Sequence, residues 1–363
     1  HAVSVGEMRA AAPLVKALRA HNPDSRLLLT CMTPTGRATV RELFGEDAEI
    51  VFLPYDYPGA VRRFLAHFRP RYGVLLETEL WPNLIHACAD RSVPLWLANA
   101  RLSQKSLAGY LRVSALIRPA VARLAGVLAQ SQADAERLRG LGAQRVEVMG
   151  NMKFDNQPSA ELIERGRSWK SVFADRPVLV FASSREGEET LLLQALQRAG
   201  GLRDALLVLV PRHPQRFDEV AALLVQHGLS SVRRSHWNGE PLGPDVQVLL
   251  GDSMGEMTAW YALADVVLMG GSILPFGSQN LIEACAVGAP VLLGPSTFNF
   301  AEASRLALEC GAARQQQDVD ALIATAFALL ADAPARAAMG RAGHQFAQAH
   351  RGATARLLDW LES

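Results

Sequence analysis

Short apolar runs alternate with longer amphipathic stretches along the first half of the chain. The runs are rich in leucine and valine and predict strands, whereas the stretches between them carry the apolar spacing of helices. The predicted strands are 27–31, 51–54, 73–76, 94–98, 127–130 and 146–149. The predicted helices are 6–20, 36–43, 58–68, 82–89, 106–122 and 133–141. This alternation predicts a parallel sheet with helices on both of its faces.

A polar stretch at 154–159 interrupts this pattern, and the alternation then restarts. The second set of predicted strands is 178–182, 206–210, 246–250, 266–269 and 291–293, followed by alanine-rich helices that include 334–349 and 352–361. The sequence therefore predicts two doubly wound α/β domains, 1–153 and 154–363, with the terminal helices packing back towards the first. Because such sheets bind ligands beyond the carboxyl ends of their strands, we expect a site in the cleft between the domains.

Composition excludes several classes of protein. Of the 363 residues, 49% are hydrophobic and 20% charged, which is enough for a large core. The net charge of +1 gives no reason to expect a nucleic-acid partner. The four scattered cysteines form no CxxC pair and the nine histidines show no metal-binding spacing, so no metal is expected. No apolar run approaches the roughly 18 residues of a membrane span.

The sequence starts with His1 and passes almost at once into the loop-like SVGE. A strand that should lead into this loop is mostly missing. We therefore expect the natural amino terminus, with any signal or membrane anchor, to lie outside this sequence.

The stretch 251–295 carries the strongest local pattern. A predicted strand ends at Gly270 and Gly271, and a polar turn at 277–279 leads into a short predicted helix at 280–287. A glycine-rich loop before a helix leaves backbone N–H groups facing an anion. Glu283, in the first helical turn, could reach sugar hydroxyls, so the pattern suggests a phosphorylated ligand with hydroxyl groups. The alternative is an ordinary joint between a strand and a helix.

Acidic and basic residues follow several predicted strands of the first half. Glu7 stands at a helix start, where it is either a general base or a partner of the helix dipole. Glu77 and Glu79 end the strand YGVLLETE, and alternation puts them on one side, where two carboxylates are costly unless a cation or solvent relieves them. Lys153 lies at the domain joint and either is solvated or faces an anion.

The second half offers candidates for anion binding. Pro211 and Arg212 follow the strand ALLVLV, and an arginine there suits bidentate recognition of phosphate or carboxylate, although it could also be a solvated loop residue. The polar loop 183–187 is a second candidate, as an anion nest. The turn 252–256 precedes a helix, and its backbone amides could contact a base or a phosphate.

These blocks together resemble the 3-deoxy-D-manno-octulosonate (Kdo) transferases of lipopolysaccharide biosynthesis. The resemblance covers nearly the whole chain in order, and no single block decides it. It is carried by HAVSVGEMRAAAPLV, TPTGR, LPYD, ETELWPNL, NARLS, GNMKFD, VPRHPQRF, GDSMGEM, GGS followed by QNLIEA, and GPSTFNFAEA. It implies a GT-B glycosyltransferase fold with two Rossmann-like domains. It also implies CMP-Kdo as donor, lipid IV-A or its Kdo-bearing form as acceptor, and inversion at the anomeric carbon without a bound metal or other cofactor.

The resemblance also assigns roles to residues. It implies Glu7 as the base, and Glu77 and Lys153 as the groups that stabilise the transition state. The implied CMP contacts are Pro211, Arg212, Met254, Gly255, Glu256, Asn280, Leu281, Ile282 and Glu283. Members of the family usually begin with a membrane-associating segment. The expected location is therefore the cytoplasmic face of the inner membrane, peripheral or anchored.

Two other functions fit the same architecture. One is a GT-B enzyme that uses a UDP-sugar, either a transferase or an epimerase. The other is a two-domain solute-binding protein, which the acidic and basic loops at strand ends disfavour. A lipid acceptor would also require an apolar or basic surface, for which 103–123 and 58–71 are candidates. Solvated helix faces explain those two segments equally well.

Overall fold

The computed structural model describes residues 1–3, 5–45, 48–173 and 175–362. The chain divides into two compact units, residues 1–156 with 350–363 and residues 157–349. The domain boundary expected at 153/154 falls inside a short 3₁₀ helix, Met152–Asp155. The segment 350–363, which the sequence assigned to the second domain as a helix packing back, groups with the first unit.

The strands and helices alternate along the described residues, as the hydrophobic pattern predicts. The strands are β1 Leu28–Cys31, β2 Glu49–Phe52, β3 Gly73–Leu76, β4 Leu95–Ala100, β5 Gly126–Ala129, β6 Val146–Val148, β7 Val178–Ser184, β8 Leu206–Pro211, β9 Ser231–Arg233, β10 Val248–Leu250, β11 Val266–Met269, β12 Val291–Leu293 and β13 Ala313–Gln315. The helices are α1 Val5–His21, α2 Pro34–Phe44, α3 Pro58–Phe68, α4 Pro82–Ala89, α5 Gln104–Arg112, α6 Ser114–Val121, α7 Gln132–Gly140, α8 Ala160–Ser171, α9 Glu188–Arg198, α10 Phe217–Gln226, α11 Met257–Leu263, α12 Leu281–Ala286, α13 Ala301–Glu309, α14 Val319–Ala331, α15 Ala333–Ala349 and α16 Ala353–Glu362.

The first unit contains parallel strands in two described groups, β1–β2 and β3–β4–β5–β6. Residues 1 and 2 lie between the groups. The N–H of Ala2 donates to the carbonyl of Thr30 in β1, and the N–H of Leu76 in β3 donates to the carbonyl of His1, both at 3.1 Å. The carboxyl ends of β3, β4, β5 and β6 therefore open on one edge of this unit.

The second unit is built on a parallel sheet with the order β13–β12–β11–β7–β8–β10–β9 in its described residues. Strands β7, β8 and β11 are buried throughout, which explains their apolar runs VLVFA, LLVLV and VVLM. Strands β9 and β13 were not predicted, because they lie at the two edges of the sheet and have the short, polar sequences SVR and ARQ.

Two predictions of helices need correction. The single helix expected at 106–122 is two helices, α5 and α6, because Val113 leaves the helical conformation with φ −117° and ψ 32°. Helix α1 begins at Val5, so Glu7 stands inside its first turn and does not follow a complete loop. Ser4 of the expected loop lies outside the described residues.

No single helix among the described residues has the length and apolar composition needed to cross a membrane. The pair 319–331 and 333–361 passes that test only when taken together, with a bend of 104° between its members.

Candidate active site

Glu7 holds its carboxylate close to the start of the chain. Its Oε2 accepts a hydrogen bond from the backbone N–H of Val3 at 2.7 Å, and the side chain is half-buried. A carboxylate in the first turn of a helix is stabilised by the helix dipole. That stabilised, half-buried carboxylate is compatible with a role as proton acceptor.

Glu77 and Lys153 form an ion pair at the same edge of the first unit. The Nζ of Lys153 lies 2.9 Å from Oε1 of Glu77, and their side chains are 17% and 19% exposed. Glu77 follows β3 and has φ +60°, a backbone conformation that residues other than glycine rarely adopt. Strain of this kind is concentrated at functional sites. Of the two ways that the sequence left open for relieving the charge of Glu77, a cation or solvent, the structure shows a cation, Lys153.

Glu79 does not share a strand face with Glu77, because β3 ends at Leu76. Its Oε2 accepts a hydrogen bond from the indole N–H of Trp81 at 2.8 Å. Burial raises the pKa of the Glu79 carboxyl, the hydrogen bond from Trp81 opposes this, and the charges of Glu7 and Glu77 raise the pKa further. The charges of Glu7 and Glu77 therefore both reach the Glu79 carboxyl.

A network of amide side chains fixes the segment that carries Lys153. Asn99 is 1% exposed, has φ +50°, and its Oδ1 accepts the N–H of Met152 at 3.0 Å. Gln130 donates from Nε2 to the carbonyl of Asn99 at 2.9 Å and accepts from Nδ2 of Asn151 at 3.1 Å. The Oδ1 of Asn151 accepts the N–H of Lys153 at 2.9 Å. Sequence reasoning assigned no role to these amides, although Asn99 and Gln130 fall at or just past the ends of the buried strands β4 and β5, and Asn151 follows β6.

In the second unit, Arg212 and Glu283 both act on Tyr261. Burial raises the pKa of the Tyr261 hydroxyl well above its usual value, the charge of Glu283 raises it further, and the charge of Arg212 opposes the increase. Arg212 follows Pro211 at the end of β8, and its N–H donates to the carbonyl of Ser184 at 3.0 Å. The charges of two of the residues implied as donor contacts thus both influence this hydroxyl.

The start of α12 offers fewer side chains to a ligand than the sequence suggested. Asn280 is the N-cap, and its side chain accepts the N–H of Ile282 at 3.1 Å. Leu281 and Ile282 are buried, so only their backbone groups remain for contact with a ligand. The Oε1 of Glu283 accepts a hydrogen bond from the hydroxyl of Thr258 at 2.5 Å, which fixes this carboxylate in place.

The turn that contains Met254, Gly255 and Glu256 is held by ionic contacts. Gly255 has φ +80° and Met254 is exposed. The buried carboxylate of Glu256 accepts from Arg234 at 2.9 Å and from Arg165 at 3.4 Å. Its side chain is therefore paired within the protein and helps to fix the turn.

The glycine loop after β11 requires its glycines for steric reasons. A Cβ on Gly270 would lie 2.3 Å from the carbonyl oxygen of Ser183, and Gly271 has φ +69°. The two ends of the loop are joined by hydrogen bonds from Ser278 to the carbonyl of Gly271 at 2.6 Å and from Gln279 to the carbonyl of Gly270 at 3.0 Å. The described residues contain no group of three or more His, Cys, Asp or Glu side chains that could hold a metal ion.

Solved structures of low sequence identity share this fold. A UDP-GlcNAc 2-epimerase from Neisseria meningitidis superposes with a TM-score of 0.66 at 16% identity, over 100% of this chain and 98% of that one. Anabaena Alr3699/HepE gives 0.67 at 15% identity, over 99% and 98%. At such identities the likeness shows the fold alone. It confirms the expected GT-B class with two Rossmann-like domains.

Sequence comparisons decide the family. Residues 1–156 match the family model described as 3-Deoxy-D-manno-octulosonic-acid transferase (kdotransferase). The 3-deoxy-D-manno-octulosonic acid transferase of Bordetella pertussis is 47% identical over 100% of this chain and 86% of its own length. The transferase of the same name from Haemophilus influenzae is 36% identical over the same shares. The chain therefore belongs to the family of 3-deoxy-D-manno-octulosonic acid (Kdo) transferases, as its sequence blocks predicted.

Proposed function

We propose that this Kdo transferase takes Kdo from CMP-Kdo and attaches it, with inversion, to a sugar hydroxyl of lipid IV-A. The observation that carries the proposal is that the two units present different chemical groups. The first unit gathers carboxylates at its strand ends, which suits the removal of a proton from an acceptor hydroxyl. In the second unit Arg212 follows the end of β8 and Glu283 lies in the first turn of α12, which suits a ligand with a phosphate and sugar hydroxyls.

The proposed reaction is one direct displacement. Glu7 takes the proton from the acceptor hydroxyl as its oxygen forms a bond with the anomeric carbon. The bond between that carbon and the phosphate oxygen breaks, and its electron pair leaves with CMP. Arg212 stabilises the negative charge that develops on the leaving phosphate. Lys153, held by Glu77, supplies a fixed positive charge on the acceptor side.

The proposed CMP contacts follow from the hydrogen-bonding groups that each residue exposes or keeps free of the core. Glu283 accepts hydrogen bonds from ribose hydroxyls, while Asn280, Leu281 and Ile282 contribute backbone groups. Pro211 fixes the backbone that leads into Arg212. The exposed turn at Met254 and Gly255 contacts the base, with Glu256 holding it in shape.

We propose further that no metal or other cofactor takes part. The leaving group is a nucleoside monophosphate, which carries less charge than a nucleoside diphosphate. Arginine and backbone N–H groups are sufficient for such a charge. No nucleic acid is expected as a partner.

We propose that the enzyme acts at the cytoplasmic face of the inner membrane, either peripherally or through an anchor, because its acceptor is a lipid. Segment 103–123 supports this, since Leu111, Val113 and Leu116 are exposed beside Arg112 and Arg118. None of the residues of α5 is buried. Exposed apolar side chains among arginines are typical of a surface that lies on anionic lipid.

The experiment that tests the function is incubation of the chain with CMP-Kdo and lipid IV-A, followed by mass spectrometry of the lipid. We expect the lipid to gain the mass of Kdo, and no product when UDP-sugars replace CMP-Kdo. A lipid of unchanged mass, or equal transfer from a UDP-sugar, would contradict the proposal.

A further inference from the structure

We propose that Arg185 binds the carboxylate of the transferred sugar acid and so sets the preference of the enzyme for an acidic sugar. The inference rests on the proposed CMP-Kdo donor and adds the group that recognises the sugar itself. It assigns a role to the loop 183–187, which contains none of the proposed CMP contacts.

Arg185 follows β7 at the carboxyl edge of the second unit. Its guanidinium stacks on the ring of Phe276, with its central carbon 4.5 Å from the ring centroid. The side chain is half-buried. Within the part of the chain that the structure describes, no carboxylate forms an ion pair with it. An arginine that is stacked, partly desolvated and unneutralised suits an anionic ligand.

Glu188 builds the place in which Arg185 sits. Its fully buried carboxylate accepts the backbone N–H groups of Arg185 at 2.8 Å, Gly271 at 2.7 Å, Ile273 at 2.9 Å and Leu274 at 3.2 Å. These bonds tie the loop after β7 to the loop after β11. The first loop carries Arg185 and the second carries Phe276, so Glu188 fixes both halves of the stack. In the loop 183–187, expected as an anion nest, the N–H of Arg185 is thus taken by the protein's own carboxylate, and we assign the arginine side chain to a ligand.

Arg185 lies beside the backbone of the proposed phosphate site, since the carbonyl of Ser184, the residue before it, accepts the N–H of Arg212 at 3.0 Å. Burial lowers the pKa of His213, and the charges of Arg212, Arg185 and Arg216 lower it further. Arg216 is already neutralised, since it donates to the two carboxylate oxygens of Glu189 at 2.7 and 3.2 Å. Arg212 is assigned to the phosphate. Arg185 therefore remains for a second anionic group close to the first.

The chemistry of the donor supplies such a pair of anions. In an ulosonic acid the anomeric carbon itself carries the carboxyl group, and in the donor the same carbon also carries the phosphate. The two charges of the donor are thus only a few bonds apart. The planar guanidinium of arginine matches a carboxylate in bidentate geometry, and stacking on an aromatic ring does not use up its N–H donors.

The test compares the KM for CMP-Kdo with the inhibition constant Ki of CMP, which lacks the sugar and its carboxylate. Arg185→Met keeps the packing on Phe276 and removes the charge, and Arg185→Gln is a second variant in case the first folds poorly. We expect the ratio KM/Ki to rise about 10-fold to 100-fold in both variants, as for the loss of a charge-assisted hydrogen bond. Arg185→Lys should show a smaller rise, because it keeps the charge without the planar fork.

The matched control is Arg203→Met. Arg203 stacks on Phe327 at 4.4 Å in the same unit, but it precedes β8 and so lies at the opposite edge of the sheet. Its ratio should equal that of the wild type. An unchanged ratio in Arg185→Met, or an equal rise of KM and Ki, would overturn the assignment while leaving the transferase activity in place. A wild-type chain that does not turn over CMP-Kdo would overturn the donor proposal and this inference with it.

Discussion

The ammonium group of Lys153 lies 2.9 Å from a carboxylate oxygen of Glu77, although the two residues are 76 positions apart in the sequence. We expect Lys153→Met to lower kcat by about 10²-fold to 10³-fold, as the loss of one fixed electrostatic group in a site does. Steady-state kinetics with CMP-Kdo and lipid IV-A measure this. Lys170→Met is the control, because Lys170 pairs with Asp265 in the second unit. That variant should lose stability and keep its kcat, and an equal loss of kcat in both would remove Lys153 from the mechanism.

Glu7→Gln keeps the shape of the side chain and removes its basicity. We expect kcat to fall by about 10²-fold to 10⁴-fold, the usual contribution of a positioned general base. The Ki of CMP should barely change, since the loss affects the transition state and not ground-state binding. Glu42→Gln, an exposed carboxylate on α2, should behave as wild type. If Glu7→Gln kept a near-normal kcat, Glu77 and Glu79 would be the next candidates for the base.

Glu79 predicts a specific dependence of stability on pH. Its pKa is raised above the ordinary 4.5 chiefly by burial, so the folded protein binds this proton more tightly than the unfolded chain. The resulting stabilisation is present below the unfolded pKa and is lost as the pH rises through the folded pKa. We expect Glu79→Gln to have a larger free energy of unfolding than wild type at pH 7, with the difference shrinking towards pH 4.5. Urea titrations at several pH values measure it, and a less stable variant at pH 7 would contradict the account.

Arg212→Ala should weaken the binding of CMP by about 1.5–3 kcal/mol, the cost of losing a hydrogen bond to a charged group. Isothermal titration calorimetry with CMP gives the change directly. Arg198→Ala is the control, because Arg198 forms an exposed ion pair with Asp320 on the surface of the same unit. Unchanged affinity in Arg212→Ala would remove this residue from the donor site.

The proposed absence of a metal leads to a direct assay. Treatment of the enzyme with EDTA, followed by removal of the chelator, should leave kcat unchanged. Added Mg²⁺ should not raise it, because positive side chains and backbone N–H groups hold the leaving phosphate. A strict requirement for added Mg²⁺ would contradict the proposed mechanism.

The elements of the sheets could be predicted wherever burial dictates composition. The expected strands 266–269 and 291–293 coincide with β11 and β12, because a parallel strand covered on both faces must be apolar along its whole length. The expected strand 73–76 coincides with β3, in which the last two residues are buried. The edge strands β9 and β13 escaped prediction, because an edge strand needs no such sequence. The interruption at Val113 also escaped, since nothing in the amphipathic pattern of 106–122 marks it.

The sequence by itself determined the fold class, the family and the positions of the charged residues that follow the strands. Each of these can be read from short stretches of neighbouring residues taken in their order along the chain. Only the tertiary structure decided which charge meets which partner: Lys153 with Glu77, Glu256 with two arginines, and Glu188 with the loop that carries Phe276. The physical reason is that such a pairing depends on where distant strand ends meet in space, and no local sequence pattern encodes that distance.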